Sequence, residues 1–306
     1  MRYAATIGFF DGVHKGHKYV ISRLKADAQA HGLSSAVITF RQHPRQVLQQ
    51  DFIPKLLTPC NRKIALLRDT GVDRIVDMDF TRELASMSAR EFMAYLHEHF
   101  SVDRLLIGYD NRFGHNRSDS FEDYVRYGKE IGIEVLCNDA LNPNEENISS
   151  SVVRRLLTEG EIVKANDCLG YSFGFSGIVV RGYGEGRKLG YPTANMSIDP
   201  EQFIPKRGVY AVNVTIEGHD DQFLGMMNIG CRPTYGEFKE TVEVNILDFN
   251  EDIYDKEITV KFIERIRDEK KFGSLEELKA QLAQDRRETS LLSPQRGEEV
   301  ERKWKV

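Results

Sequence analysis

The sequence has little that would hold it together from outside its own core. Of 306 residues only 4 are cysteine: Cys60, Cys137, Cys168 and Cys231. They stand far apart with no C-x-x-C pair, which argues against a disulfide framework or a zinc knuckle and leaves reduced, mostly buried thiols as the expectation. No apolar run approaches the ~20 residues that span a bilayer, and no basic-then-apolar leader opens the chain. A cytoplasmic protein with no membrane partner is therefore expected. Positive charge is short as well, since 42 Lys and Arg against 47 Asp and Glu leave a formal charge of −5. That balance gives no general attraction to a nucleic-acid backbone, so any phosphate must be bound locally.

What is present is the composition of a globular protein, 41% hydrophobic and 29% charged, long enough for two domains of about 150 residues. The first half alternates two periods. ATIGFF, SSAVITF (34–40), DRIVDMDF (73–80), DRLLIGYD (103–110) and IEVLCND (133–139) read as short strands. Helical stretches lie between them, from about Gly16 to His31, after a Thr58-Pro59 start, from Ser88 with Glu91 completing a capping box, and over about Ser118 to Ile131. Strict alternation predicts a Rossmann-like parallel sheet covered on both faces, with ligands beyond the carboxyl ends of its strands. After Gly170, short strands follow one another with turns between, predicting an antiparallel sheet or a small antiparallel β-barrel. One helix closes it, from Ser274 to about Asp285, with a charged, frayed tail beyond. The expected domains are 1–169 and 170–306.

The first chemical signal is IGFFDGVHKGHKYV (7–20). His14 and His17 stand where a first strand turns into a first helix, and a helix N-terminus offers free N–H groups and a positive dipole end to an anion. Gly12 and Gly16 let backbone approach a ligand, and two imidazoles above it could stabilise phosphate charge. The same histidines could instead be solvated, or form a metal site with Asp11. In ISSSVVRRLL (148–157), a Ser-rich cap precedes arginines, which suits phosphate and equally an ordinary surface helix. Asp110, Asn111 and Arg112 end the fourth strand at the ligand edge of the sheet, or form only a turn.

The second signal is RGYGEGRKLGYPTANM (181–196). Gly182, Gly184, Gly186 and Gly190 interleave with Arg187 and Lys188, mixing free backbone amides with cations as polyphosphate requires. The spacing is neither a Walker A loop nor G-x-G-x-x-G. Thr193 and Asn195, two apart, face one side of an extended segment and offer hard oxygens to Mg²⁺, unless they merely cap a turn. In ETVEVNILDF (240–249), alternation sets Thr241, Glu243 and Asn245 on one face and Val242, Val244 and Ile246 on the other.

GFFDGVHKGH resembles the H-x-G-H signature of nucleotidyltransferases. With LLIGYDNRFGHNRSDSF (105–121) and ISSSVVRRLL it resembles the adenylyltransferase module of bifunctional riboflavin kinase/FMN adenylyltransferases. G-x-x-L-G-Y-P-T-A-N and ETVEVNILDF resemble the riboflavin kinase module of the same family, and the likeness runs to about Asp285. The resemblance implies two activities: phosphorylation of riboflavin to FMN in the C-terminal domain, then adenylylation of FMN to FAD in the N-terminal one. It implies ATP at Gly8, Phe10, His14, Gly16, His17, Ser150, Ser151 and Arg154, and flavin at Asp110, Asn111 and Arg112. In the kinase it implies ATP at Gly182, Gly184, Gly186, Lys188, Gly190 and Thr193, Mg²⁺ at Thr193 and Asn195, and a catalytic base at Glu243. Three positions depart from the family pattern: Gln42 where a proline is usual, Asn111 where an aromatic is usual, and Asn245 where a histidine is usual. Two other readings are a single active half and a non-catalytic flavin or nucleotide sensor.

Overall fold

Small and β-branched residues fill β1 (Tyr3–Ile7) and β2 (Ser34–Phe40), and both faces of each strand are buried, as a sheet flanked by helices on two sides demands. The computed structural model describes the chain except residues 50, 109–111, 116–118, 139–147, 183, 235–236 and 293–306. At 185, 232–234 and 237–239 it describes the backbone alone. The described contacts group into two compact units, Met1–Val152 and Val153–Val306.

In the first unit, α1 (Lys15–Ala30) links β1 to β2. There follow α2 (Pro44–Leu48), α3 (Cys60–Arg68), β3 (Arg74–Met78), α4 (Arg82–Ser86), α5 (Ala89–Phe100), β4 (Val102–Gly108), α6 (Phe121–Ile131) and β5 (Glu134–Asn138). All pairings are parallel, in the order β3-β2-β1-β4-β5. Tyr3, Ala5 and Ile7 face Phe92, Met93 and Leu96 of α5, while Ala4 faces Ile21, Leu24 and Ala28 of α1. Each Ile, Leu, Met or Phe side chain among them contributes about 2 kcal/mol when taken from water. The capping box expected at Ser88 and Glu91 is present, and Ser120 with Asp123 makes a second one that starts α6. The strand order reverses direction at β1, whose neighbours are β2 on one side and β4 on the other. This switch point opens a crevice beyond the carboxyl end of β1, where the two-histidine turn begins.

The second unit contains most of α7 (Ser150–Glu159), then α8 (Ile162–Leu169), β6 (Gly174–Val180), α9 (Glu185–Lys188), β7 (Ala194–Ser197), β8 (Gly208–Ile216), β9 (Gln222–Thr234), β10 (Glu237–Ile246), β11 (Glu257–Arg267) and α10 (Leu275–Leu291). The strands close an antiparallel barrel in the order β10-β7-β6-β11-β8-β9. Its interior is filled by Phe173, Phe175, Tyr210 and Phe262, whose rings pack with centroids 5.1–6.3 Å apart. The division by packing falls before residue 169 because α8 belongs with the barrel. The Asn166 side chain accepts from Phe173 N–H and donates to the Phe262 carbonyl.

Two expectations need correction. The last helix does not end near Asp285 but runs to Leu291, because Asp285 and Thr289 are fully buried and Asp285 forms a forked ion pair with Arg267. Its anchor is polar, so an apolar count understates its length. The cysteines are also more open than expected: Cys137 is exposed and the other three are half-buried.

Candidate active sites

In the first unit the chain leaves β1 through a turn held in unusual backbone. Phe10 has φ +55° and Val13 has φ +36°, a region that bulky and β-branched residues rarely enter. Asp11 keeps it there. Its buried carboxylate accepts from the N–H groups of Leu57 (3.1 Å) and Thr58 (3.0 Å), and Gly12 N–H donates to the Thr58 hydroxyl at 2.9 Å. Thr58 therefore latches this turn rather than capping α3, where Pro59 occupies the cap position. Among the described residues no group of three or more His, Cys, Asp or Glu could hold a metal ion, and Asp11 with the two histidines is not one.

His14 is no solvated residue, being only 4% exposed. Its Nδ1 accepts from His17 N–H at 3.3 Å and caps α1, so in the neutral ring the proton sits on Nε2. His17 stacks on it with ring centroids 3.6 Å apart, and the Phe10 ring meets His17 edge-on. Burial, then the neighbouring His14, hold the His17 imidazole well below its ordinary value, so at neutral pH it offers a hydrogen bond rather than a charge. Its buried Nδ1 lacks a hydrogen-bond partner among the described residues. The first turn of α1 carries no acidic residue and instead bears Lys15 and Lys18. Cations at that end oppose the helix dipole, an arrangement that an anion would relieve. Those two lysines went unremarked in the sequence, although the spelling V-H-K-G-H-K contains them.

The segment before α7 closes on this turn. The Ser150 hydroxyl donates to the Asp11 carbonyl at 2.9 Å, and Ser149 supplies the expected serine cap by accepting from Val152 N–H. Gly16 is needed for that approach, since a Cβ there would stand 2.8 Å from the Ile148 carbonyl oxygen. Gly8 continues the ladder to Ile38, Ser151 is exposed on the first turn of α7, and Arg154 follows one turn later. Asp110 and Asn111 lie outside the described residues, while Arg112 donates to the Asp119 carbonyl at 2.6 Å. Lys63 was also missed. It is 1% exposed, donates to the Phe40 carbonyl and lies 4.1 Å from the Phe9 ring centre, with its pKa lowered by burial.

In the second unit the glycine-rich loop folds into the single turn α9 between Gly184 and Gly190, both in left-handed backbone. Gly186 lies within it and accepts from Tyr191 N–H, and Lys188 is exposed. The chain then enters β7, the extended segment expected here, with Asn195 on the strand and Thr193 just before it. Asn195 pairs with Glu243 across the β7–β10 ladder, and the Thr193 hydroxyl donates to the Glu243 carboxylate at 3.3 Å. Gly182 abuts the Asn195 amide so closely that a Cβ would lie 2.2 Å from Nδ2. Two cavities meet here, and Thr193 lines both. One of about 280 Å³ is walled by Arg187, Phe249 and Tyr254. The other, of about 330 Å³, is walled by Tyr191, Met226, Glu243 and Phe272 and by Leu278 and Leu282 of α10. The expected alternation on β10 holds: Val242, Val244 and Ile246 are buried, while Glu243 and Asn245 open onto the second cavity. Thr193 and Asn195 present neutral oxygens next to one carboxylate. Among the described residues no group of three or more His, Cys, Asp or Glu could hold a metal by itself, so this pair suits a hard cation that is shared with substrate phosphates.

Residues 1–152 match the FAD synthetase family model and residues 169–292 the riboflavin kinase model. The chain is 36% identical over 281 residues to the bifunctional riboflavin kinase/FMN adenylyltransferase of Escherichia coli K12, covering 92% of this chain and 89% of that one. It is 34% identical over 296 residues to the protein of the same name from Bacillus subtilis, with 92% and 90% covered. A solved Streptococcus pneumoniae structure, described as a macrolide-efflux protein, superimposes with a TM-score of 0.85 at 30% identity over 94% of each chain. Among the described residues of this chain, no helix is long and apolar enough to cross a membrane. On the matching family models and on relatives similar over nine-tenths of its length, the chain belongs to the family of bifunctional riboflavin kinase/FMN adenylyltransferases.

Proposed function

We propose that the two activities of this family are divided between the two sites as follows. In the kinase domain, taken as 170–306, Glu243 removes the proton from the 5′-hydroxyl of riboflavin. That oxygen attacks the γ-phosphorus of ATP, the bond to the β-phosphate oxygen breaks, and FMN and ADP result. The cavity beside Phe249 and Tyr254 suits an adenine ring, and the one beside Met226 and α10 suits the flavin, so the reacting groups meet at Thr193 and Glu243. The Thr193 hydroxyl and Asn195 amide oxygen would hold Mg²⁺, which when bound neutralises charge on the transferring phosphoryl group. Gly182, Gly184, Gly186, Lys188 and Gly190 shape the loop over the polyphosphate.

In the adenylyltransferase domain, taken as 1–169, a phosphate oxygen of FMN attacks the α-phosphorus of a second ATP, and pyrophosphate leaves. The nucleophile is already anionic, so no general base is needed. His14, His17, the amino end of α1, Ser150, Ser151 and Arg154 orient the triphosphate and stabilise the charge that develops on it. Gly8, Phe10 and Gly16 shape the turn, and Asp110, Asn111 and Arg112 are proposed for the flavin. Riboflavin, FMN and ATP are the small-molecule substrates, and we place the enzyme in the cytoplasm, without nucleic acid or membrane as a partner.

The observation that carries this reading is the 3.3 Å contact of Glu243 with Thr193 where the two cavities join. Riboflavin supplied with ATP labelled at the α- or γ-phosphate tests it. Label from γ should enter FMN and label from α should enter FAD. Glu243→Gln should lose FMN formation by about 10²-fold or more while FAD synthesis from added FMN continues. Full kinase activity in that variant overturns the base assignment, and transfer of neither label would make the protein a sensor.

A further inference from the structure

Asn245 lies on the same face of β10 as Glu243, two residues away, and is 7% exposed. Its amide Nδ2 donates to the Pro192 carbonyl at 2.7 Å. A carbonyl can only accept, so chemistry itself sets which end of the amide points there. Pro192 is a special place to attach a hydrogen bond. Its ring fixes φ near −65° and the following peptide is planar, so the one soft torsion between the proline ring and Thr193 is ψ of Pro192. Anchoring the carbonyl oxygen fixes that torsion. On its far side Thr193 is followed by Ala194, which is already paired with Val244 in the β7–β10 ladder. Thr193 is thus held between two attachments, and only the first comes from a side chain.

We propose that Asn245 is a positioning residue for phosphoryl transfer, setting ψ of Pro192 and thereby the Thr193 hydroxyl against the Glu243 carboxylate. This rests on the assignment of Thr193 and Glu243 made above. Asn245 touches the backbone of the P-T-A-N segment and acts on the reaction through it.

The test compares Asn245→Leu, which keeps the branched shape and removes the donor, with Asn245→His, whose ring N–H can reach the same carbonyl. For each, kcat and KM for FMN formation are measured per folded enzyme, with thermal unfolding and FAD synthesis from added FMN followed in parallel. Asn245→Leu should lower kcat by about 10- to 100-fold with KM for riboflavin within about threefold, and leave FAD synthesis within about twofold. Asn245→His should recover most of the lost kcat. A residue that served stability alone would shift the melting temperature and leave kcat unchanged. The proposal is overturned if Asn245→Leu keeps kcat within about twofold of the parent, or if Asn245→His is no better than Asn245→Leu. Glu243→Gln separates the two levels of the argument. An inactive Glu243→Gln beside an active Asn245→Leu overturns the role of Asn245 alone. An active Glu243→Gln overturns the base assignment and, with it, the pairing that Asn245 is inferred to set.

Discussion

Gly182→Ala isolates the position of one side-chain amide from nearly everything else in the kinase site. Gly182 is exposed and outside the left-handed backbone region, so alanine meets no backbone strain there and should even reduce the entropy of the unfolded chain, a gain of about 0.4–1 kcal/mol. The obstacle is Asn195. The new Cβ would lie 2.2 Å from its Nδ2, 2.6 Å from Cγ and 2.8 Å from Oδ1, where ordinary contact begins at 3.4 Å. The amide must therefore swing away by roughly 1.2 Å to relieve the overlap. A displacement of about 1 Å at a reacting centre costs about 10²-fold in rate, or about 2.7 kcal/mol of transition-state stabilisation. Gly182→Ala should accordingly form FMN about 10²-fold more slowly while melting no lower than the parent and converting added FMN to FAD at the parental rate. FMN formation within about twofold of the parent would refute the reasoning, because Asn195 would then be displaced without consequence.

Two further outcomes are expected. Because the folded state holds the His17 imidazole well below its free value of about 6.5 through burial and the nearby His14, the unfolded chain binds more protons below that pH. Stability is then complete above it and declines as pH falls below it. Urea midpoints of the adenylyltransferase half should drop between pH 7 and 5 less steeply in His17→Gln than in the parent, and equal slopes would remove His17 as the cause. Asp285→Asn should destabilise the barrel by about 3 kcal/mol by opening its bidentate bond to Arg267 at a site with no exposure. A loss under about 1 kcal/mol in denaturant unfolding would show that this pair is screened like a surface one.

Local spacing carried much of the account. The alternation of strand and helix up to residue 138, the capping box at Ser88, the shared face of Glu243 and Asn245, and the two loops rich in glycine and histidine could all be read from neighbours within a few residues, because helix and strand periods and caps are local properties. What that reading got wrong involved partners far away in the chain. Thr58 looked like a cap but holds Gly12, 46 residues earlier. The end of α10 looked too polar to dock until Asp285 met Arg267, 18 residues before it. Lys63 gave no sign of being buried, since nothing in its own helix provides the Phe40 carbonyl or the Phe9 ring.

The amino-acid sequence by itself determined the two domain types and the chemical groups available to each, since residue type sets both the period of an element and what its side chains can bond. Only the tertiary structure decided how those groups act together. It buried His17 beside His14 and so kept His17 neutral, brought Ser150 to the carbonyl of Asp11, and joined Thr193, Asn195 and Glu243 across a ladder between strands about 50 residues apart. Distances and desolvation of that kind arise from packing between remote segments, which no local window of the chain contains.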